Sequence, residues 1–181
     1  NLDGLARLSS AGRLYVGDNP ALTNLDGLTG ITSLTKLTID DNDALTRISG
    51  LVNVASISND LRIVRTAALV GLDGLDGLAS VGGILQIGNN DSLINVDGLD
   101  SLTSVGDYVE ISGNEMLRDL DGLGSLGAIG NYLLIAANFH LSDCQGIAPV
   151  LGWPTGPPDD NVVWGISIYG NEPGCNSVEE V

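Results

Sequence analysis

The stretch that decides the fold is Val81 to Ser104, VGGILQIGNNDSLINVDGLDSLTS, because close variants of it recur on both sides. Its Asp-Gly phrase is repeated along the chain, with copies beginning at Leu2, Leu25, Ile48, Leu72, Val96, Leu120 and Cys144. The steps between these starts are 23, 23, 24, 24, 24 and 24 residues. A fixed period of this length is typical of a solenoid, in which each coil buries its apolar side against its neighbours.

Each repeat contains a short segment in which apolar residues alternate with variable ones. The copies are Leu14–Val16, Leu37–Ile39, Leu61–Ile63, Leu85–Ile87, Val109–Ile111, Leu133–Ile135 and Ile166–Ile168. Alternation with a period of two indicates a half-buried strand. We therefore predict a mostly β, parallel solenoid of about seven coils. Residues 1–147 form its repeats, and residues 148–181 form a Pro-rich loop, the last strand and a C-terminal cap of the same domain.

An asparagine follows almost every predicted strand, three residues past its last apolar position. The row is Asn19, Asn42, Asn90, Asn114, Asn138 and Asn171, with Thr66 as the exception. Asparagine tolerates left-handed backbone angles at a corner, and its amide can bond to main-chain groups of the adjacent coil. This favours a structural ladder over a row of ligand-binding amides. Asn90 begins a glycosylation sequon, Asn-Asp-Ser, which its place in the ladder argues against.

The segment after the asparagine carries inward apolar residues three apart, as in Leu22, Leu25 and Leu28. This spacing favours a second short strand or a tight turn over an α-helix. The phrase has a glycine in every copy, and we expect it to supply a backbone angle that a side chain would forbid.

The repeat pattern LxNLDGLxxLxSVGGxLxIxxN resembles the receptor L-domain class of leucine-rich-like repeats, over nearly the whole chain from residue 1 to about Ile147. The resemblance implies a right-handed parallel coil, often with disulfide-stapled ends, that binds other molecules. It does not imply which molecule is bound, since one scaffold serves many functions. Two cysteines and very regular repeats favour the microbial, secreted or surface type over eukaryotic hormone receptors.

The C-terminal part departs from the repeat. Four prolines lie between Pro149 and Pro158, and the two tryptophans, Trp153 and Trp164, lie in or beside this loop. We expect the loop to cover the last coil, and an aromatic binding loop is the alternative. Cys144 occupies an inward repeat position, and we expect a disulfide with Cys175 that fastens the cap; a buried thiol pair is the alternative.

Composition excludes several functions. With 23 acidic and seven basic residues, the formal charge is −16, which argues against nucleic acid or an anionic membrane as a partner. No apolar run approaches the roughly 20 residues of a membrane span. A single histidine, with no CxxC, GxSxG or phosphate-binding loop, gives no support for an enzyme or a transition-metal site.

Two rows of side chains are candidates for binding. The acidic row is Asp3, Asp26, Asp73, Asp97 and Asp121, interrupted by Ser49 and Gln145. Each Asp is expected to cap its own turn, and calcium between Asp73, Asp97 and Asp121 is the weaker alternative. The outward row of the strands is Tyr15, Thr38, Arg62, Gln86, Glu110, Leu134 and Ser167. Its mixed chemistry suits recognition of an irregular partner, or a merely solvated face. Arg62 and Arg65 make the repeat around them the most individual one.

These observations predict a non-catalytic extracellular or cell-surface module that binds a protein or a glycan, with no cofactor. The first coil is expected to present an open apolar edge, covered either by further repeats or by another subunit. Covering by another copy would give a structural subunit that stacks end to end into a filament. Ice or mineral binding is a weaker alternative, because the outward row does not repeat one residue type.

Overall fold

A computed structural model describes residues 2–152 and 165–181, and these residues form a mostly β, parallel solenoid. The strands are β1 (Ser10–Gly17), β2 (Ser33–Asp40), β3 (Ser56–Ile57), β4 (Leu61–Val64), β5 (Ser80–Val81), β6 (Leu85–Gly88), β7 (Ser104–Val105), β8 (Val109–Ser112), β9 (Ala128–Ile129), β10 (Tyr132–Ala136) and β11 (Gly165–Tyr169). Every pairing between them is parallel.

The strands form two ladders. The main sheet runs through β1, β2, β4, β6, β8, β10 and β11, and it contains all the segments predicted as strands. A second, short ladder runs through the first halves of β1 and β2 and then through β3, β5, β7 and β9. The second strand of each repeat therefore precedes the main strand, and does not follow the asparagine.

Three-residue 3₁₀ turns occupy the Asp-Gly phrase in most repeats. They are Asp3–Leu5, Asp26–Leu28, Ser49–Leu51, Asp97–Leu99, Asp121–Leu123 and Gln145–Ile147, and a further one at the C-terminus is Val178–Glu180. Of the two predicted options for this segment, the tight turn is correct, because a 3₁₀ turn places every third residue on one side. None of the helices in residues 2–152 and 165–181 is long and apolar enough to cross a membrane.

The interior is a single core of leucine, isoleucine and valine. Inward residues of the main sheet, such as Leu85 and Ile87, are fully buried, as are Leu93 and Leu99 from the opposite side of the repeat. Each repeat contributes side chains to an interior that its neighbours close. The first repeat has a neighbour on one side only in the described residues, and its Leu5 is 41% exposed, whereas the equivalent Leu28 is fully buried.

The glycine of the Asp-Gly phrase is required for a different reason from the one predicted. Backbone angles are not the general cause, because among these glycines only Gly74 has a positive φ, of 112°. A Cβ at Gly98 would instead overlap the carbonyl oxygen of Leu72, and one at Gly122 would overlap that of Val96. The glycine is required because the backbone of one repeat lies directly against the next.

One extra residue explains why the period changes from 23 to 24. In β2, Leu34 belongs to the short ladder and Leu37 to the main sheet. These two residues are three apart, and β2 runs through both ladders without a break. Their partners in the next repeat, Ile57 and Leu61, are four residues apart. The added residue lies in Ser58-Asn59-Asp60, which separates β3 from β4, and later repeats keep this break.

Candidate binding face

The outward residues of the main sheet lie in one column, as predicted. Tyr15 pairs in register with Thr38, Thr38 with Arg62, and the column continues through Gln86, Glu110, Leu134 and Ser167. The residues on either side of each one point into the core, because successive side chains in a strand alternate between faces. The column therefore forms the centre of a solvent-facing surface, which we call the outer face.

All four tyrosines of the chain lie on the outer face. Tyr15 belongs to the central column, Tyr132 and Tyr169 occupy outward positions of β10 and β11, and Tyr108 immediately precedes β8, one residue before the inward Val109. Tyr169 is 57% exposed and Tyr15 is 55% exposed. Tyr132 donates a hydrogen bond to Ser167 Oγ, and Tyr15 donates one to Asp18.

The sequence analysis named Tyr15 but missed the other tyrosines as part of the face. The alternation of inward and outward residues could have placed them there. Each tyrosine is an odd number of residues from an inward residue of its strand, so its side chain points outward. This was overlooked because only the middle residue of each apolar triplet was assigned to the face. The structure adds the outward positions before and after that residue.

Polar contacts link neighbours along the central column. Gln86 Nε2 donates to Glu110 Oε2 at 3.1 Å, and Ser112 Oγ donates to Glu110 Oε1 at 2.8 Å. Glu110 is thus oriented by contacts to both of its oxygens. Ordered polar groups of this kind suit recognition, because less side-chain entropy is lost when a ligand binds.

A buried carboxylate lies at the break between the ladders. Asp60 is only 8% exposed, Lys36 Nζ lies 2.6 Å from its Oδ2, and the Ile84 amide donates to its Oδ1 at 3.2 Å. Arg62 Nη2 lies 3.8 Å from the same Oδ2. Burial raises the pKa of Asp60, but the Lys36 hydrogen bond, the Ile84 amide and the two positive charges outweigh it and lower the pKa below its usual value.

The two arginines that were grouped in the sequence analysis have different surroundings. Arg65 contacts two carboxylates, with its Nη2 2.7 Å from Asp40 and its Nε 3.2 Å from Asp41. Arg62 shares one carboxylate with Lys36, and its buried Nε has no hydrogen-bond partner among the described residues. The most individual repeat therefore contains two arginines with separate partners, and of the two only Arg62 has a buried nitrogen without a hydrogen-bond partner among the described residues.

The asparagine row is the predicted structural ladder. Asn114 Nδ2 donates to Ile87 O at 3.0 Å, and its Oδ1 accepts the backbone amide of Asn90 at 3.1 Å. Asn42, Asn90, Asn114 and Asn138 are fully buried, so these amides do not form a ligand surface. Thr66 interrupts the row, and its Oγ1 donates to Val64 O.

The sequence predicts that the asparagine is the left-handed residue of each corner. In the structure, the residue before the asparagine has that conformation instead. Positive φ angles occur at Asp18, Asp41, Arg65, Asn89, Gly113, Ala137 and Gly170. The reason is that the asparagine side chain must point inward to reach the neighbouring strand, and the sharp turn is made one position earlier.

The acidic row faces solvent beside the 3₁₀ turns, but Asp97 and Asp121 do not cap their own turns. The backbone amide of Asp97 bonds to Asn95 Oδ1, and that of Asp121 bonds to Asp119 Oδ1, so the cap is two residues earlier. Within residues 2–152 and 165–181, no three histidine, cysteine or acidic side chains are grouped so as to hold a metal ion. The calcium hypothesis for Asp73, Asp97 and Asp121 gains no support from this geometry.

Burial and neighbouring carboxylates raise the pKa of one member of the acidic row, Asp97, and of Asp119, which lies two residues before another member. Burial, followed by the charges of Asp119, Asp100, Asp121 and Asp73, raises the pKa of Asp97. Burial also raises the pKa of Asp119, with Asp121 and Asp143 adding to it. Asp26 differs, because the hydrogen bond from Arg47 lowers its pKa.

The short ladder presents a second surface, with one residue type repeated. Ser10 pairs with Ser33, and Ser56 pairs with Ser80, which pairs with Ser104 and then Ala128. Ser33 and Ser56 directly precede the paired residues Leu34 and Ile57, so the five serines continue in one column. Ser10, Ser33 and Ser56 border a shallow groove of about 360 Å³. This regular column was not recognised in the sequence, because the short ladder itself was not predicted.

The cysteines form the expected disulfide. Cys144 and Cys175 are bonded, their Cα atoms are 5.4 Å apart, and both are buried. Val178 and Val181 pack against the core beside them, so residues 165–181 cover part of the last repeat. The tryptophans proposed to contact the cap, Trp153 and Trp164, lie outside the described residues.

No protein-family model matches this chain, and neither the curated proteins nor the solved structures include a significant match. The class of protein is therefore defined by the coordinates, and it is a mostly β, parallel β-solenoid with a disulfide near its C-terminal end.

Proposed function

We propose that this chain is a non-catalytic, extracellular binding or adhesion module whose ligand lies on the outer face. The observation that carries the proposal is that a chain with four tyrosines has all of them on this one surface. Tyrosine combines a large apolar ring with a polar hydroxyl and has few rotatable bonds, so it is a favoured residue of recognition surfaces.

The rigidity of the sheet supports the same proposal. Fully buried leucine, isoleucine and valine side chains lie beneath β2, β4, β6, β8 and β10, and buried asparagines tie most corners to the next repeat. A ligand would meet a surface that is already ordered, and preorganisation reduces the entropic cost of association.

A protein or a glycan at the cell surface is the partner we propose, with no nucleic acid and no membrane insertion. The formal charge of −16 supports the exclusion of polyanions. The disulfide fits an extracellular, oxidising setting. The repeat pattern supports membership of the microbial receptor L-domain class, with a right-handed coil and about seven repeats.

Assembly into an end-to-end filament is a second candidate. The repeat itself favours it, since the surface that one repeat presents to the next can also be presented to another copy of the chain. Ice or mineral binding is the weaker third candidate, and the serine column of the short ladder is the feature that favours it. Sedimentation over a wide concentration range tests the filament: a concentration-independent monomer would remove it.

The outer face is tested by replacing two of its tyrosines, one partly buried and one exposed. Glycan and protein arrays would first identify a ligand, and its affinity would then be measured for Tyr132→Ala combined with Tyr169→Ala. We expect binding at least about tenfold weaker, because aromatic residues contribute strongly at interfaces. The matched control is Val52→Ala with Val70→Ala, which truncates two side chains that are 50% and 52% exposed outside the sheet. Equal affinity for both double variants, with unchanged thermal unfolding, would contradict the proposed face.

A further inference from the structure

One repeat of this chain already binds a guanidinium on the acidic row. Arg47 Nη2 lies 2.6 Å from Asp26 Oδ2, and Arg47 Nε donates a longer hydrogen bond to Asp26 Oδ1 at 3.4 Å. Ser49 Oγ donates to the same Oδ1 at 3.0 Å. A forked pair of N–H donors on one carboxylate is the geometry in which arginine is recognised specifically. The surface beside the 3₁₀ turns therefore has room for a guanidinium.

The backbone around Asp97 is stacked like the backbone around Asp26. A Cβ at Gly50 would overlap the carbonyl oxygen of the residue before Asp26, and a Cβ at Gly122 would overlap that of the residue before Asp97. In both places, the Asp-Gly phrase of one repeat thus lies directly against the phrase of the repeat before it. The contact between Arg47 and Asp26 can therefore be used as a template for the surroundings of Asp97.

Two carboxylates stand at the template positions of Arg47 and Ser49. Counted back from the glycine of each phrase, Asp119 corresponds to Arg47 and Asp121 corresponds to Ser49. An isolated parallel bridge forms at the first of these positions in both parts of the chain, and the bridged pairs are Asn24 with Arg47 and Asp119 with Asp143. Where the template has a cation beside Asp26, Asp97 therefore has further carboxylates.

These carboxylates are accessible and are not engaged by other side chains. Asp97 and Asp121 are exposed, and within residues 2–152 and 165–181 their side-chain oxygens accept no hydrogen bond. None of the ion pairs between described side chains involves Asp97, Asp119 or Asp121. Burial and then the neighbouring carboxylates raise the pKa of Asp97, so its charge is not offset locally. We call Asp97, Asp119 and Asp121 the acidic edge.

The charge around the acidic edge favours a basic partner. Residues 66–181 contain sixteen acidic side chains and one basic one, whereas residues 1–65 contain seven acidic and six basic ones. The part of the chain that carries the acidic edge thus attracts cations over a wide area. Ile94, three residues before Asp97, is 40% exposed, and such an aliphatic surface suits the apolar stem of an arginine.

We propose that the acidic edge binds arginine side chains from a basic segment of a partner protein, with a guanidinium beside Asp97 as Arg47 lies beside Asp26. The acidic edge belongs to the 3₁₀ turns and not to the main sheet, so this inference goes beyond the proposed function. Arginine is favoured over lysine because a planar fork can bond both oxygens of one carboxylate, whereas an ammonium acts as a point charge.

The first test compares two peptides on the unaltered chain. Acetyl-Arg-Gly-Arg-Gly-Arg amide and its lysine counterpart are titrated into the full chain by calorimetry in about 0.15 M NaCl, where long-range attraction is screened. We expect the arginine peptide to bind at least about fivefold more tightly, because the two peptides carry the same charge and only the guanidinium forms paired hydrogen bonds.

The second test fills the acidic edge from within. Asp119→Arg places an arginine at the position of Arg47, and we expect it to weaken binding of the arginine peptide at least about tenfold. The matched control is Asp91→Asn with Glu115→Gln, which makes the same change of two charges at exposed residues of the same two repeats. The control should stay within about threefold of the unaltered chain, since net charge alone acts weakly in salt.

Three outcomes would overturn the inference. They are no binding of the arginine peptide, equal affinities of the arginine and lysine peptides, and equal losses for Asp119→Arg and the double control. The second and third would mean that only net charge attracts the peptide. The peptide comparison uses the unaltered chain, so it does not depend on how a variant folds. None of these outcomes bears on the outer face, whose test uses other residues and another ligand.

Discussion

The N-terminal repeats, residues 2–65, and the C-terminal repeats, residues 66–152 with 165–181, share one framework but balance charge differently. The ion pairs that join two described side chains all lie between Asp26 and Arg65. The pKa values of Asp26 and Asp60 are lowered there, whereas those of Asp97 and Asp119, further along, are raised. Leucine burial and the asparagine ladder continue through both parts, so they hold the solenoid together, and surface ion pairs are dispensable to it.

The two parts also differ in their strands. β1 and β2 are continuous over eight residues each, whereas from Ser56 onward the short and main strands are separated by a corner. In this corner the first residue is Ser58 and then Gly82, Gly106 and Gly130 in successive repeats. A Cβ on each of these glycines would overlap the carbonyl oxygen of the residue below it. The extra residue therefore creates a close backbone contact that the continuous strands do not have.

The largest expected effect comes from the Gly106→Ala substitution. The new methyl group would overlap the Gly82 carbonyl oxygen, and neither backbone can move without disturbing the stack, so we expect a loss of more than about 3 kcal/mol in the free energy of unfolding. The control is Thr35→Ala in the continuous strand β2, because Thr35 lies at the position equivalent to Gly106 and its repeat accommodates a Cβ there. Chemical denaturation measures both. Similar losses at the two positions would remove the distinction between continuous and broken strands.

The next effect concerns the asparagine ladder. Asn114→Ala removes hydrogen bonds to Ile87 O and from the Asn90 amide and leaves both groups buried, at an expected cost of about 2–4 kcal/mol. Asn19→Ala is the control, because Asn19 is exposed at the first corner. Chemical denaturation would compare the two variants, and an equal cost at both positions would show that burial does not determine the strength of the ladder.

A smaller effect distinguishes the left-handed corners of the two parts. Ala137 has a φ of 55°, which glycine adopts with less strain, so Ala137→Gly should raise the free energy of unfolding by about 1 kcal/mol. Arg65 has a φ of 51° but also contacts Asp40 and Asp41. Arg65→Gly should therefore raise the free energy of unfolding by less than Ala137→Gly does, or should lower it. Thermal unfolding measures both variants. A larger stabilisation by Arg65→Gly than by Ala137→Gly would mean that the ion pairs of Arg65 do not contribute to stability.

The smallest effect is the opposite pH dependence of the carboxylates in the two parts. A raised folded-state pKa means that the native state binds the proton more tightly, so Asp97 and Asp119 destabilise the fold at pH 7, and this is relieved as the pH falls through their folded pKa values toward the unfolded value of about 3.9. Asp60, with a lowered pKa, stabilises the fold above about pH 3.9, and this stability is lost as the pH falls through its folded pKa.

We therefore expect Asp97→Asn with Asp119→Asn to raise the melting temperature at pH 7 by about 1–3 °C, since solvent screens these groups, and to have no effect at pH 3. Asp60→Asn should lower the melting temperature at pH 7. Thermal unfolding at both pH values checks the signs. A fall at pH 7 in the double variant would show that the Asp97 and Asp119 carboxylates are stabilised by contacts other than those described.

Much of the fold could be predicted from local periodicity. Every predicted main strand is present, Asn114 and its equivalents bond between repeats, and Cys144 pairs with Cys175. The errors concern relations between repeats. The reason for Gly98, the left-handed residue before each asparagine, and the different partners of Arg62 and Arg65 depend on what the neighbouring repeat places beside them. The tyrosines were missed because only one outward position per strand had been considered.

The sequence by itself determined that the chain stacks repeats of about two dozen residues, because a leucine period shared by all copies can be buried in only one way. It also determined which residues alternate outward. Only the tertiary structure decided that one inserted residue splits the strands after Ile57, and that Asp60 is thereby buried between Lys36 and Arg62. The physical reason is that periodicity specifies which side of a strand a residue occupies, whereas its neighbours across repeats depend on register, which a single inserted residue changes.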